Sequence, residues 1–272
     1  MIQLTGIIIA RNEEGRIADC IDSLSFCDEL VVVDNGSTDR TVEIAERMGA
    51  KIVVCKTFDF SQVRSYGLHK AKGKWVLYVD ADERVSRELA ENVKRVVSEN
   101  YKSDKPSVYR LQRKNFYFGK HEWPHIERLE RLFYKQALKG WKGKLHESPV
   151  YTGSVVDFDG YLLHYTHRNF SEMLAKTIEW SEIEASLRLQ ERHPKMTWWR
   201  FPRVMLTAFL DSYVRQGGYK VGIVGIVESM YQSFSMFITY ARLWEMSRGA
   251  GHSDSEESSD SKRSRSARQN EK

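Results

Sequence analysis

KWVLYVDADE, residues 74–83, is a strongly apolar run that ends in Asp-Ala-Asp. In extended backbone, residues i and i+2 point to the same side. Asp80 and Asp82 are therefore expected to present two carboxylates at the carboxyl edge of a parallel sheet, where open α/β sheets bind ligands. Hard oxygen ligands of this kind suit Mg²⁺ or Mn²⁺. A cation held there would neutralise phosphate oxygens and favour departure of a nucleoside diphosphate. Read alone, the pair is equally well a solvated loop leading into a helix N-cap.

Three further β-branched runs bounded by polar or glycine positions, TGIIIA (5–10), ELVVVD (29–34) and KIVVC (51–55), alternate with polar loops and amphipathic stretches. That is the pattern of βαβ units and of a parallel sheet buried on both faces. Ile17, Ile21 and Leu24, and then Leu89, Val93, Val96 and Val97, recur at helical spacing. Ser86 is the expected N-cap of the second helix, with Glu88 in its first turn. IIIARNEE and VVVDNGSTDRT put polar groups at two more strand ends, so three strands offer them on one rim.

These motifs, IIIARNEE, VVVDNGSTDRT and WVLYVDADE, resemble in order and spacing the family-2 glycosyltransferases of GT-A fold, over roughly residues 3–165. The resemblance implies an α/β nucleotide-diphospho-sugar transferase fold with a mostly parallel central sheet and a C-terminal helical extension. It implies donor-nucleotide contacts from Arg11, Asn12, Glu13 and Asp34, and metal and diphosphate binding through Asp80 and Asp82. Arg64 stands where the family often has a basic residue reaching the nucleotide; the alternative is a solvent-facing arginine on the helix after FDFSQ. RLFYKQALKGWKGKLHESP (131–149) resembles the acceptor region. There Glu147 occupies the place of a catalytic base more commonly Asp, the alternative being a carboxylate paired with a nearby lysine, and His146 would contact the acceptor. His164, after an apolar strand, is a further candidate metal ligand or else structural.

KHEWPHIERLERLF (120–133) and the C-terminal pattern GGYK, GIVGIVES and FITYARLWE resemble the subgroup that adds sugar to the inner core of bacterial lipopolysaccharide. The partners implied are a nucleotide-diphosphate sugar, with UDP-glucose favoured, and a glycan or lipid-linked acceptor. Trp123 and Trp141 are candidates to stack on sugar faces or to pack in the core. Competing readings are an Asp-dependent phosphotransferase or phosphatase, which leaves VDNGSTD unexplained, and a non-catalytic sugar- or lipid-binding module, against which the intact acidic rim argues.

The chain has 272 residues, 41% hydrophobic and 29% charged, with a net charge of +5. Its Lys and Arg are spread out, unlike the dense basic stripe of nucleic-acid binding. Cys20, Cys27 and Cys55 lack metal-ligand spacing and fit a reducing compartment. The short apolar run of MIQLTGIIIARNEE reads as a buried strand instead of a leader.

We divide the chain into a catalytic domain over 1–168, with a nucleotide-binding half to residue 100 and an acceptor half after it, a helical extension over 169–248, and a Ser-rich, mixed-charge tail over 249–272 that reads as disordered. In GYKVGIVGIVESMYQSFSMFITYARLWEMS (218–247), Glu228 and Gln232 interrupt the apolar run, short of the roughly 20 apolar residues a membrane span needs. Residues 198–248 carry six Arg or Lys against three Asp or Glu. Attachment to the cytoplasmic face of an anionic membrane, or a homodimer contact, is expected of these helices.

Overall fold

The computed structural model describes residues 2–99, 106–144, 147–166 and 169–269, and for 249–269 the backbone alone. Four β-branched runs form the parallel strands β1 (Leu4–Ala10), β2 (Glu29–Asp34), β3 (Lys51–Val54) and β4 (Trp75–Asp80). β1 is buried along its whole length and β4 up to its final Asp80, as strands covered on both faces must be. Successive residues divide between two cores. Ile8, Val32 and Leu77 pack with α1 (Ile17–Ser23) and α4 (Arg87–Ser98), whereas Ile7, Val33 and Val76 pack with Val63 and Leu68 of α3 (Phe60–Lys70). Helix α2 (Thr41–Arg47) follows β2. Ser86 caps α4, its hydroxyl accepting from the Leu89 N–H at 3.3 Å.

Glycine at position 67 lets α3 lie close against the sheet: a Cβ there would sit 2.7 Å from Ile7 Cγ2 and 3.0 Å from Val33 Cγ2. That approach brings Arg64, one helical turn earlier, over the end of β4. Asp59 starts the helix by accepting from the N–H groups of Ser61 and Gln62.

Strands β5 (Glu83–Val85), β6 (Val108–Tyr117), β7 (His121–Tyr134) and β10 (Val155–Tyr165) complete an eight-stranded sheet in the order β3-β2-β1-β4-β7-β6-β10-β5. β7 is antiparallel to β4 and β6, β10 is parallel to β6, and β5 is antiparallel to β10. A mixed addition therefore extends the parallel half, as the shorter extended pieces after residue 107 imply. β8 (Leu138–Lys142) and β9 (Ser148–Tyr151) form a separate antiparallel pair.

Residues 1–166 and 167–272 form two compact units. The second contains α5 (Phe170–Gln190), α6 (Arg200–Leu210) and α7 (Gly222–Gln269), with a π-helical turn over Asp211–Arg215 and a 3₁₀ turn over Gly218–Val221. Ala185, Met196, Tyr240 and Leu243 form its core. The Tyr231 hydroxyl bonds Thr177 Oγ1 at 2.7 Å across α5 and α7.

One expectation changes here. Among the described residues one helical stretch, Gly218–Arg248, is long and apolar enough to cross a bilayer. The interruption is locally satisfied: Gln232 Nε2 donates to Glu228 Oε1 at 2.7 Å, and Glu228 is wholly buried. The backbone trace of α7 runs on to Gln269.

Candidate active site

In the sheet register Ala10 pairs with Asp34 and Ile9 with Asp80, which places the ends of β1, β2 and β4 along one rim. The two loops after β1 and β2 are knitted together there. Asn12, held at a positive φ of 55°, accepts from the Thr38 N–H at 2.7 Å, and its own N–H donates to Ser37 Oγ at 3.0 Å. The Glu13 N–H donates to Thr41 Oγ1, and the Glu13 carboxylate takes Arg16 Nη1 at 2.9 Å. Buried Asp34 accepts from the N–H groups of Gly36 and Ser37, an Asx turn that shapes the loop. Arg11 lies over the ring of Phe58, 5.9 Å from its centroid.

Beside the rim, β4, α3 and the segment before β9 meet around Arg64, which is buried. Its Nη2 donates to Asp80 Oδ1 at 2.9 Å and its Nε to Glu147 Oε1 at 2.6 Å. The guanidinium carbon stands 5.1 Å from the Trp141 ring centroid, and the Tyr78 hydroxyl donates to the Arg64 carbonyl. Arg64 is thus no solvent-facing arginine, and the partner of Glu147 is this arginine and not a lysine. Arg64, Asp80, Trp141 and Glu147 line a cleft of about 620 Å³ that also reaches Arg113, Arg131 and Tyr151. Arg64 Nη1 is buried there with no hydrogen-bond partner.

Asp80 and Asp82 do not form the expected pair of open carboxylates. Asp80 is the last residue of β4, but Ala81 and Asp82 turn the chain into β5, so strand alternation stops before Asp82. Asp80 Oδ2 accepts from Arg131 Nη2 at 2.8 Å in addition to the Arg64 bond. Burial resists the Asp80 charge, yet Arg131, Arg64 and Arg113 together hold its carboxyl well below the usual range. Asp82 faces His164 instead, with Nε2 to Oδ2 at 3.2 Å. Burial lowers the basicity of His164, but the Asp82 charge and hydrogen bond outweigh it and raise its pKa. Among the described residues no group of three or more His, Cys, Asp or Glu side chains is placed to hold a metal by itself.

A buried chain of charges connects the two aspartates, a linkage that sequence reading missed. Glu83, wholly buried, accepts from the Asp80 N–H at 2.9 Å and from Arg113 Nη1 at 3.1 Å, and Arg113 Nη2 reaches Glu127. Glu127 takes Asn115 Nδ2 at 2.7 Å, and Asn115 Oδ1 lies 2.7 Å from His164 Nδ1. Burial opposes ionisation of Glu127, but Arg113 and Asn115 hold its pKa down. The pattern that could have found these residues is period two: Arg113 and Asn115 on β6, and Glu127 and Arg131 on β7, with Arg113 opposite Glu127 in register.

Of the acceptor candidates, Trp141 borders the cleft and is only partly buried. Trp123 does not serve as a sugar platform: it is 2% exposed, packed edge-on against Tyr117 at 5.0 Å. On β7 its position turns inward, a face that sequence alone did not distinguish. His146 lies outside the described residues.

A family model described as "Glycosyl transferase family 2" matches residues 5–158. An uncharacterized glycosyltransferase of Rickettsia typhi is 30% identical over 261 residues, covering 91% of this chain and 88% of that protein. The lipopolysaccharide core biosynthesis glycosyltransferase LpsC of Rhizobium meliloti is 27% identical over 260 residues, covering 90% of this chain and 93% of its own. Among solved structures, S. aureus TarS 1–349 in complex with UDP-GlcNAc has a TM-score of 0.44 and 13% identity over 92% of each chain. With a family match over more than half its length and an α/β sheet of GT-A type beneath the matched motifs, the chain belongs to glycosyl transferase family 2.

Proposed function

We propose that the protein is an inverting hexosyltransferase that uses a nucleotide-diphosphate donor, with UDP-glucose favoured, and a glycan or glycolipid acceptor such as lipopolysaccharide core. The observation that carries this reading is the arrangement of the rim: Asp34 and Asp80 end adjacent parts of the sheet, and Arg64 hands from Asp80 across to Glu147 in one cleft. Arg11, Asn12, Glu13 and Asp34 receive the nucleoside along the knitted loops. Arg64, whose Nη1 lacks a partner, gives the diphosphate a buried cation. Glu147 takes the proton from the acceptor hydroxyl as that oxygen attacks the anomeric carbon and the nucleoside diphosphate departs. Trp141 borders the acceptor side.

Asp82 and His164 fit a divalent cation. Their Oδ2 and Nε2 face one another, an oxygen and an imidazole that Mn²⁺ accepts, and one or two protein ligands plus substrate phosphates is the usual Mg²⁺ arrangement. When bound, such an ion supplies charge neutralisation to the leaving diphosphate. Asp80, whose oxygens already serve two guanidiniums, acts by holding Arg64 and Arg131 at the cleft. Those same bonds make it a poor nucleophile, which disfavours a phosphotransferase.

The helices of the second unit attach the enzyme peripherally to the cytoplasmic face of an anionic membrane. Leu206 and Leu210 on α6 and Ile223, Met230 and Phe234 on α7 are exposed, with Trp199, Arg200, Arg203 and Lys220 close to them in sequence. A nucleotide-sugar panel incubated with lipid-linked and soluble glycan acceptors and read by mass spectrometry tests the activity: one hexose added from UDP-glucose supports it, and no sugar transferred from any donor removes it.

A further inference from the structure

Asn115 and His164 are opposite one another in the register of β6 and β10, both buried or nearly so, and joined by a bond between side chains at 2.7 Å. The orientation of the Asn115 amide follows from its other neighbour. Glu127 is an acceptor-only carboxylate, so the group facing its Oε1 at 2.7 Å must be the amide NH₂. The amide oxygen then faces His164, and because an amide oxygen can only accept, Nδ1 must carry the hydrogen. Nε2 is then the nitrogen turned toward Asp82 at 3.2 Å, and a cation bound between the two would take the place of its hydrogen. Glu127 is held in turn by Arg113, which is anchored on Glu83. The chain from Arg113 to His164 is thus a directional relay.

We propose that Asn115 is a positioning residue that fixes His164 in its Nδ1–H tautomer and so presents Nε2, beside Asp82, to the divalent cation that accompanies the donor diphosphate. This rests on the reading of Asp82 and His164 as the cation's ligands. Asn115 contacts neither cation nor substrate; it acts only through the imidazole, as partners behind metal-bound histidines do.

The test uses the full chain, with Mn²⁺ binding in the presence of UDP followed by the loss of the free-ion EPR signal. His164→Ala should weaken Mn²⁺ binding by at least tenfold. Asn115→Leu, which removes the acceptor for Nδ1–H, should weaken it by roughly 10- to 100-fold, with metal-free UDP binding and circular dichroism unchanged. The exchanged pair Asn115→Asp with Glu127→Gln keeps the net charge and the direction of the bond to the imidazole. The new amide on β7 would donate to a carboxylate on β6 that still accepts from Nδ1, so affinity should return to within a few-fold of wild type. If His164→Ala loses Mn²⁺ while Asn115→Leu binds it normally, the positioning role is wrong and the ligand reading stands. If His164→Ala binds as wild type does, both are wrong. Should Asn115→Leu fail to fold, ¹⁵N shifts of histidine-labelled wild type, with His164 assigned from the Ala variant, decide the matter. A hydrogen on Nδ1 supports the proposal, and an imidazole protonated at Nε2 alone overturns it.

Discussion

Arg64 Nε sits 2.6 Å from Glu147 Oε1, so the carboxylate proposed as base is paired with a buried guanidinium. The same guanidinium bonds Asp80. A diphosphate that draws charge from Arg64 would loosen its hold on Glu147 when the donor is in place. Glu147→Gln keeps an acceptor for Arg64 but cannot take a proton. It should lower kcat by roughly 10²-fold or more with donor KM nearly unchanged, in a steady-state assay with varied donor. An unchanged kcat would shift the role to another carboxylate.

The two aspartates of the Asp-Ala-Asp motif should separate by phenotype. Asp80→Ala leaves Arg64 and Arg131, both buried, without their shared counter-ion and should cost about 3 kcal/mol of stability in urea unfolding. Asp82→Ala loses the bond to His164 and should cost about 1–2 kcal/mol while abolishing turnover. Equal stability losses in the two variants would contradict the assignment.

The parallel half of the sheet was legible because four β-branched runs needed burial on both faces, and Ser86 was legible because its cap precedes a helical stripe. The chemistry of the site was only half legible. Asp82 and His164 were identified singly, but their pairing depends on the turn at Ala81 and on the long-range pairing of β5 with β10, neither of which local pattern encodes. Arg113 and Arg131 were missed, and with them the pairing of Arg113 and Glu127, because charged residues on strands of mixed burial look like a solvated face until the register brings opposite signs together. Trp123 stayed open between sugar platform and core for the same reason: alternation says that it faces one side, and only the packed sheet says which.

The cap of α3 reports on the helix that carries Arg64. Burial pushes the Asp59 carboxyl up, but bonds from Ser61 and Gln62 outweigh it and lower the pKa below 3.8. A carboxyl with a depressed folded pKa stabilises the fold fully above its unfolded value and loses that contribution as pH falls through the folded one. Asp59→Ala should therefore cost about 1 kcal/mol at pH 7. The gap from wild type should narrow as the pH is lowered past 3.8, measured as urea midpoints across a pH series.

Ile223 and Met230 are 78% and 58% exposed, so glutamate at both should leave thermal stability nearly unchanged. If these side chains enter a bilayer surface, each contributes about 1.5–3 kcal/mol, and the double variant should lose at least tenfold in partitioning to anionic vesicles at low salt. Partitioning equal to wild type would remove this face from the membrane account.

The central claim is metal-assisted hexose transfer at the rim of Asp34, Asp80 and Asp82, and it is tested most directly by following UDP release from UDP-glucose with an acceptor glycolipid present. Wild type should require Mn²⁺ or Mg²⁺, stop in EDTA and resume when the ion is restored, and Asp82→Ala should stay inactive at every metal concentration while remaining folded. Undiminished turnover in EDTA, or wild-type turnover by Asp82→Ala, would contradict it.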